Sequence, residues 1–292
     1  MLFYFGSSLL VDSQRYVASN SFLIELCCFQ SIVNSFPGTC IYCSVGSINS
    51  KIIKTVLISN QNTGNSEGTI YLSCLNSQLS NLHFCNCTNA LSSAFSISVT
   101  NYSFTTCVSC IDCKARDYYT GYSLQNENLK SCNFSRNQAS QDSAFRIGYS
   151  SRSAFMYVNG TYSNSGATIE ITDSILSYLN VVYNDFGSPY GLFRVSYTNS
   201  ELEYTSIFYN YGVNLVTSYG ASIKVTNCIT DQPQTEFSYC YDYSGCLFSQ
   251  QKYSRHSTNI AKCDSFTEGL EASFSYFPKN RVFLPFFFYY LG

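Results

Sequence analysis

A short unit recurs along this chain at intervals near 25 residues, and a chain built that way has few folds open to it. The unit begins with glycine or another small residue and continues through alternating apolar and polar positions. It reads "GTCIYC" from 38, "GTIYLS" from 68, "SAFSIS" from 93, "GYSLQ" from 121, "SAFRIG" from 143, "GATIEI" from 166, "GLFRVS" from 191 and "GVNLVT" from 212. Successive starts are 30, 25, 28, 22, 23, 25 and 21 residues apart. The near-identity of "SAFSI" at 93–97 and "SAFRI" at 143–147 is therefore two steps of one repeat. A second apolar stretch follows each start, and several of these end on asparagine: "KTVLISN" from 54, "NLHFCNC" from 81, "KSCNFSRN" from 130, "LNVVYND" from 179 and "TSIFYN" from 205. An earlier copy, "ELCCFQSIVN" from 25, adds a turn before residue 38.

Period-two alternation over four to seven residues is the pattern of half-buried strands, and helix signals are nearly absent. Two short strands per unit, with Gly, Asn and Ser at the corners, describe a solenoid. One turn cannot bury its inward side chains alone, but turns stacked about 4.8 Å apart share a continuous core. Asparagine suits such corners because it tolerates left-handed backbone angles and bonds neighbouring backbone groups, including those of an Asn one turn away. The expected fold is all-β, a right-handed parallel β-helix of about eight to nine turns over 14–232, with a Cys-containing cap or irregular segment over 233–292. The rival is a leucine-rich-repeat solenoid. "LSNLHFCNC" from 79 fits its pattern, but the other turns carry Ile, Phe, Val and Cys inward and no helix pattern follows.

Charged residues are only 12% of the chain and the net charge is −2, so solubility rests on hydroxyls and amides. No basic field exists for a phosphate backbone, which excludes nucleic acid as a partner. The 15 cysteines are odd in number, so at least one thiol stays free or pairs outside the chain. "MLFYFGSSLLV" has no Lys or Arg before its apolar run and reaches Asp12 after eleven residues, a weak or truncated signal-peptide pattern. "VFLPFFFYYL" is ten residues long and holds Pro285. A membrane span needs about 20 residues, so membrane association is expected only through a segment this chain does not complete.

Turns of the form small residue, "F/I-x-I/V", a dozen residues, then "C/V-x-F/I-x-x-N" and a Cys-bearing segment resemble the β-helix surface proteins of trichomonad parasites, solenoids of pectin-lyase type. The resemblance covers about residues 25–265, through "TNCITDQPQTEFSYC" and "AKCDSF". It implies a secreted or cell-surface protein with no established enzymatic activity.

Alternation assigns faces. With Phe145, Ile147, Ile169, Ile171, Phe193 and Val195 inward, Arg146, Glu170 and Arg194 stand outward on three successive turns. β-Helix enzymes such as pectate lyases and polygalacturonases work from an outward strand face. Glycoside hydrolysis, however, needs two carboxylates about 5–9 Å apart, and this row supplies Glu170 alone, because Asp173 falls in the following turn. A lyase would also need a carboxylate cluster for a metal. An ion-pair ladder contributing about 0–1 kcal/mol per pair is the simpler reading, with contact to an anionic glycan as an alternative. No catalytic residue, cofactor or metal site is assigned. "CIYC" at 40–43 and "CVSCIDC" at 107–113 lack a second ligand pair, and His83 and His256 have no local partner, so these cysteines read as core thiols or structural disulfides. Cys240, Cys246 and Cys263 are candidates for a disulfide-stabilised end cap. Sequons stand at Asn86, Asn101, Asn133 and Asn159, a number chance alone explains, and outward corners among them are glycosylation candidates if the chain is secreted. Tyr42 and Tyr71 face outward on adjacent turns as a candidate stacking platform.

The expected function is that of a non-enzymatic surface or secreted β-helix whose lateral face binds glycans or host proteins. The alternatives are a carbohydrate-active lyase or hydrolase, and a passive spacer.

Overall fold

The computed structural model describes residues 3–5, 9–11, 13–17 and 21–251, apart from 66, 125–126, 142–143, 149–152, 164–166, 187–189 and 213. These residues form a parallel β-solenoid. Ile41, Ile70, Phe95, Gly121, Phe145, Ile169, Phe193 and Val216 take the same position on successive turns, each paired in parallel with the next. The inward faces assigned by alternation hold, with Phe145, Ile147, Ile169, Ile171, Phe193 and Val195 all fully buried.

Each turn crosses three sheet faces and then a short closing strand. The long strands Ile41–Ile58, Ile70–Cys85 and Ser92–Ile111 run through all three faces, whereas later turns break at the corners, as in Ile169–Thr172 followed by Ile175–Val182. The closing strands, from Val33–Asn34 to Asp185–Phe186, stack into a seven-stranded ladder. About seven complete turns result, slightly fewer than the eight to nine expected, because incomplete turns at the ends also carry a start. The two strands expected per turn become three plus the closing pair. The second face, as in "NSKII" at 49–53, follows its buried serine with one inward residue before the corner, Ile52, Leu79 and Thr105 on successive turns, too short an alternation to leave a repeat of its own. Parallel pairing runs past both ends of the 14–232 span: Phe3–Phe5 pairs with Phe22–Glu25, and Cys240–Asp242 with Ile223–Thr226. Among the described residues the only helical element is the 3-10 turn Gln234–Glu236, which leaves no place for the leucine-rich alternative.

A column of phenylalanines fills the centre. Phe84, Phe95, Phe134 and Phe145 follow one another at ring-centroid distances of 6.0, 6.5 and 5.1 Å. Gly121 makes room for this column, since a Cβ there would lie 2.6 Å from the Phe95 ring.

Corners flanking the third face turn on single left-handed residues. One column includes Lys54, Asn81, Cys107, Tyr178, Tyr204 and Asn227, and the other Ser59, Asn86, Asp112, Arg136, Tyr183 and Tyr209, all with φ between 46° and 55°. Three of these are asparagines, but the asparagines ending the repeat units, Asn60, Asn137, Asn184 and Asn210, sit one residue further on and are buried. Their amides bridge turns. The Asn184 Oδ1 accepts the backbone N–H of Thr161 at 3.0 Å while its Nδ2 donates to the Val158 carbonyl at 3.2 Å. Asn210 does the same for the Asn184 N–H and the Val181 carbonyl, at 3.0 and 2.9 Å. Asn60 and Asn137 repeat the pattern. On the two turns between those, Cys87 and Cys113 take the position.

At the C-terminal end the cap is aromatic. Phe237 and Tyr243 meet Phe248 edge-on at 5.4 and 5.8 Å, over the last core residues. The disulfide expected there is not formed by its first two members, since Cys240 and Cys246 are free thiols and Cys263 lies outside the described residues. The Cys246 thiol turns to the chain instead, donating to the Val225 carbonyl and accepting the Cys228 N–H.

Replacing Asn184 by alanine removes the partner of two backbone groups on the preceding turn, the Thr161 N–H and the Val158 carbonyl. Urea unfolding is expected to show a loss of about 1–3 kcal/mol, against less than about 0.5 kcal/mol for the exposed Gln61→Ala.

Candidate functional site

The outward face of the first sheet carries the most organised surface. Its central column runs Tyr16, Tyr42, Tyr71, Ser96 and, after Tyr122, Arg146, Glu170, Arg194 and Thr217. The strand pleat puts the described side chains of this column on the same face.

At one end the three tyrosines stack. Centroids of Tyr16 and Tyr42 are 5.1 Å apart and those of Tyr42 and Tyr71 5.3 Å, with interplanar angles of 13° and 12°. Tyr42 and Tyr71 thus stand together as the alternation assigned them, but their ring faces meet each other, which leaves the hydroxyl-bearing edges toward solvent. Tyr16 escaped the sequence reading because Arg15 stands at the inward position that Ile41 holds on the next turn, which breaks the alternation. A parallel column of Ser44, Ser73 and Ser98 borders the stack.

Further along, Glu170 lies between Arg146 and Arg194. The Arg146 Nε is 3.4 Å from Glu170 Oε2, Arg194 Nη2 donates to the same oxygen, and the Ser196 hydroxyl donates to Oε1 at 3.0 Å. This is no open ladder, because the carboxylate is 2% exposed. Aromatic rings close over the arginines: the Arg146 guanidinium lies 5.7 Å from the Tyr119 ring centre, and that of Arg194 lies 5.1 Å from Tyr190. Arg146 also donates to the Tyr119 hydroxyl at 2.7 Å. Tyr119 and Tyr190 were not singled out from sequence, since Tyr119 opens its strand Tyr119–Leu124 two residues before the Gly121 start of the repeat and Tyr190 precedes the strand Phe193–Ser196. A doubly neutralised, covered carboxylate is poorly placed to exchange protons with a polysaccharide.

Between the tyrosine stack and the arginines lies an open pocket of about 170 Å³, lined by Glu67, Leu91, Ser92, Ser96, Tyr118 and Tyr119. The small Ser96 side chain leaves this gap in the column, and its hydroxyl donates to Glu67 at 2.7 Å.

A second aromatic set edges the third face. Tyr178 stacks on Tyr204 at 5.0 Å and Tyr183 on Tyr209 at 4.9 Å, each from a left-handed corner. Phe208, outside the central core yet fully buried, meets the Tyr209 ring at 6.0 Å.

The cysteine motifs resolve by position. Cys40, Cys43, Cys110 and Cys113 are buried inward, while Cys107 is at a corner and is disulfide-bonded. Burial pushes the Cys28, Cys43 and Cys85 thiols up to about 11, and holds Cys40, Cys110 and Cys113 well above the usual thiol range. His83 is on the third face in register with Val56 and Ser109, and burial lowers its pKa to about 4. His256 lies outside the described residues. Among the described residues there is no group of three or more His, Cys, Asp or Glu placed to hold a metal ion, and no helix long and apolar enough to cross a membrane. Of the sequons, Asn86 and Asn101 are exposed, and Asn133 is partly buried with its amide donating to Ser109. The side chain of Asn159 lies outside the described residues.

His83 makes stability depend on pH. Its folded pKa of about 4 is below the unfolded value near 6.5, so its contribution is complete above about 6.5 and is lost as pH falls toward 4. Relative to His83→Gln, the wild type is expected to lose about 3 kcal/mol over that interval, and a His83 ring resonance titrating near 6.5 would contradict the placement. The inward thiols Cys40, Cys110 and Cys113 are expected to resist a thiol reagent in the native protein and to react at once in denaturant. Comparison with known proteins adds no family: no protein-family model matches the chain, and no curated protein matches it.

Proposed function

We propose that this chain is a non-enzymatic binding scaffold, secreted or held at a cell surface, whose lateral face takes glycans or protein side chains. The observation that carries this reading is the stacked column Tyr16, Tyr42 and Tyr71 beside its row of serine hydroxyls. Rings fixed against one another give up little side-chain entropy on binding, and their edges offer both apolar surface and hydroxyls. The low charge of the chain suits shallow contact with uncharged partners. Resemblance of the turns to β-helix surface proteins of trichomonad parasites leads the same way, and membrane attachment would come from a segment outside the described residues.

A carbohydrate-active enzyme on the same face is the competing reading. Against it stands Glu170, covered and held by two arginines and a serine, with no second carboxylate in its row. A passive spacer would need no ordered surface of this kind.

Screening the protein on a glycan array, alongside an assay for cleavage of acidic polysaccharides, separates the three. Binding without cleavage is expected, weakened roughly tenfold or more in Tyr42→Ala. Cleavage abolished by Glu170→Gln would replace this reading with the enzyme, and neither binding nor cleavage would leave the spacer.

A further inference from the structure

We infer that the pocket where the tyrosine column breaks at Ser96 is a subsite for an amino sugar, a hydroxylated ring bearing a protonated amine. The inference rests on the lateral-face reading above and names a ligand class for one place on that face.

Charge is the first argument. Four outward acids on this rod meet a base from an adjacent turn: Glu25 with Lys54 at 3.6 Å, Asp112 with Arg136 at 2.7 Å, Glu201 with Lys224 at 2.8 Å, and Glu170 with two arginines. The solvent-exposed Asp173 and Asp185 make no ion pair among the described residues, and Glu67 differs from them in being partly buried against a pocket. The neighbours of Glu67 across the turns are set by the backbone bonds from Gly38 to its carbonyl and from Gly68 to Ser92, and neither neighbour is basic. Among the described residues no cation comes within ion-pair distance of Glu67, whose carboxylate is partly buried and bonded to Ser96. Its field reaches Tyr71, where it adds to burial in holding the phenol above its usual range. An ammonium in the pocket would supply the missing counter-charge through a charge-assisted hydrogen bond.

Shape and the remaining polar groups narrow the ligand. The Tyr118 and Tyr119 rings stand 5.5 Å apart, tilted by 30°, and line one side. The C–H face of a saccharide ring packs on such a surface, and an adjacent cation is attracted to it. Tyr119 is held by the Arg146 hydrogen bond at 2.7 Å, while Arg146 is itself committed to Glu170. Ser92 also lines the pocket. It is 1% exposed and its hydroxyl has no hydrogen-bond partner in the structure, so a ring hydroxyl would satisfy it. A volume of about 170 Å³ is below that of drug-sized sites and suits one ring. A neutral sugar would leave Glu67 uncompensated, and an acidic one would be repelled.

The test titrates the full chain with glucosamine, N-acetylglucosamine and glucuronate at about pH 6, where the amine is protonated, following chemical shifts or heat. Saturable glucosamine binding is expected, roughly tenfold tighter than N-acetylglucosamine, with glucuronate weakest. Glu67→Gln should abolish the preference while leaving the far-ultraviolet spectrum unchanged, and Tyr118→Ala should weaken every sugar. Equal binding of the two amino-sugar forms, indifference to Glu67→Gln, or no glucosamine binding would each overturn the subsite. If glucosamine fails while Tyr42-dependent binding persists on the array, the subsite alone falls. If both fail, the lateral-face reading falls with it.

Discussion

Parallel stacking pairs the strands of one turn with the next, but it leaves backbone groups at each corner that no strand can reach. Buried without partners, each would cost about 1–3 kcal/mol. At the exit of the third face four turns meet this with one side chain, an inward asparagine whose carbonyl accepts an N–H of the preceding turn and whose amide donates to that turn's carbonyl. Cys87, Cys113 and Thr161 interrupt the series; the Cys87 thiol reaches the Leu57 carbonyl of the preceding turn, and the Thr161 hydroxyl donates to the Asn184 side chain. The corner itself turns on a left-handed residue one position earlier, which frees the asparagine to face inward.

With the corners closed and the phenylalanine column filling the centre, the outward side chains are released from structural duty over much of each turn. Differences between turns therefore accumulate there. The column that begins as stacked tyrosines becomes a serine and a pocket, then a covered carboxylate between two arginines. "SAFSI" and "SAFRI" show the division: Phe95 and Phe145 both belong to the core column, while Ser96 opens the pocket and Arg146 braces its wall.

Much of this was legible in the sequence, and the gaps have physical causes. Period-two alternation after each small residue gave the inward and outward faces of the first sheet, including the alignment of Arg146, Glu170 and Arg194. The second face went unseen because its alternation is too short, with Ile52, Leu79 and Thr105 as the one inward residue after each serine. Burial of Glu170 was not legible, since Tyr119 and Tyr190 reach the charges from positions ahead of the repeat unit's alternating residues. The cysteines of "CVSCIDC" read as core thiols or structural disulfides, and both kinds occur: the left-handed Cys107 is disulfide-bonded, and the left-handed Asp112 resets the alternation so that both Cys110 and Cys113 face inward. Glu67 drew no notice because its significance is the partner its neighbouring turns do not supply.

Stacking in register, one turn per repeat, is the claim on which the corners, the core and the lateral face all depend, and electron-spin distance measurement tests it directly. Ser98 and Tyr219 are both exposed, on one outward column, five turns apart. Spin labels attached there through encoded non-cysteine residues should give one narrow distribution centred at about 24 Å, five spacings of about 4.8 Å. A broad distribution, or one centred beyond about 35 Å, where seven or more such spacings would be needed, would contradict the in-register stack.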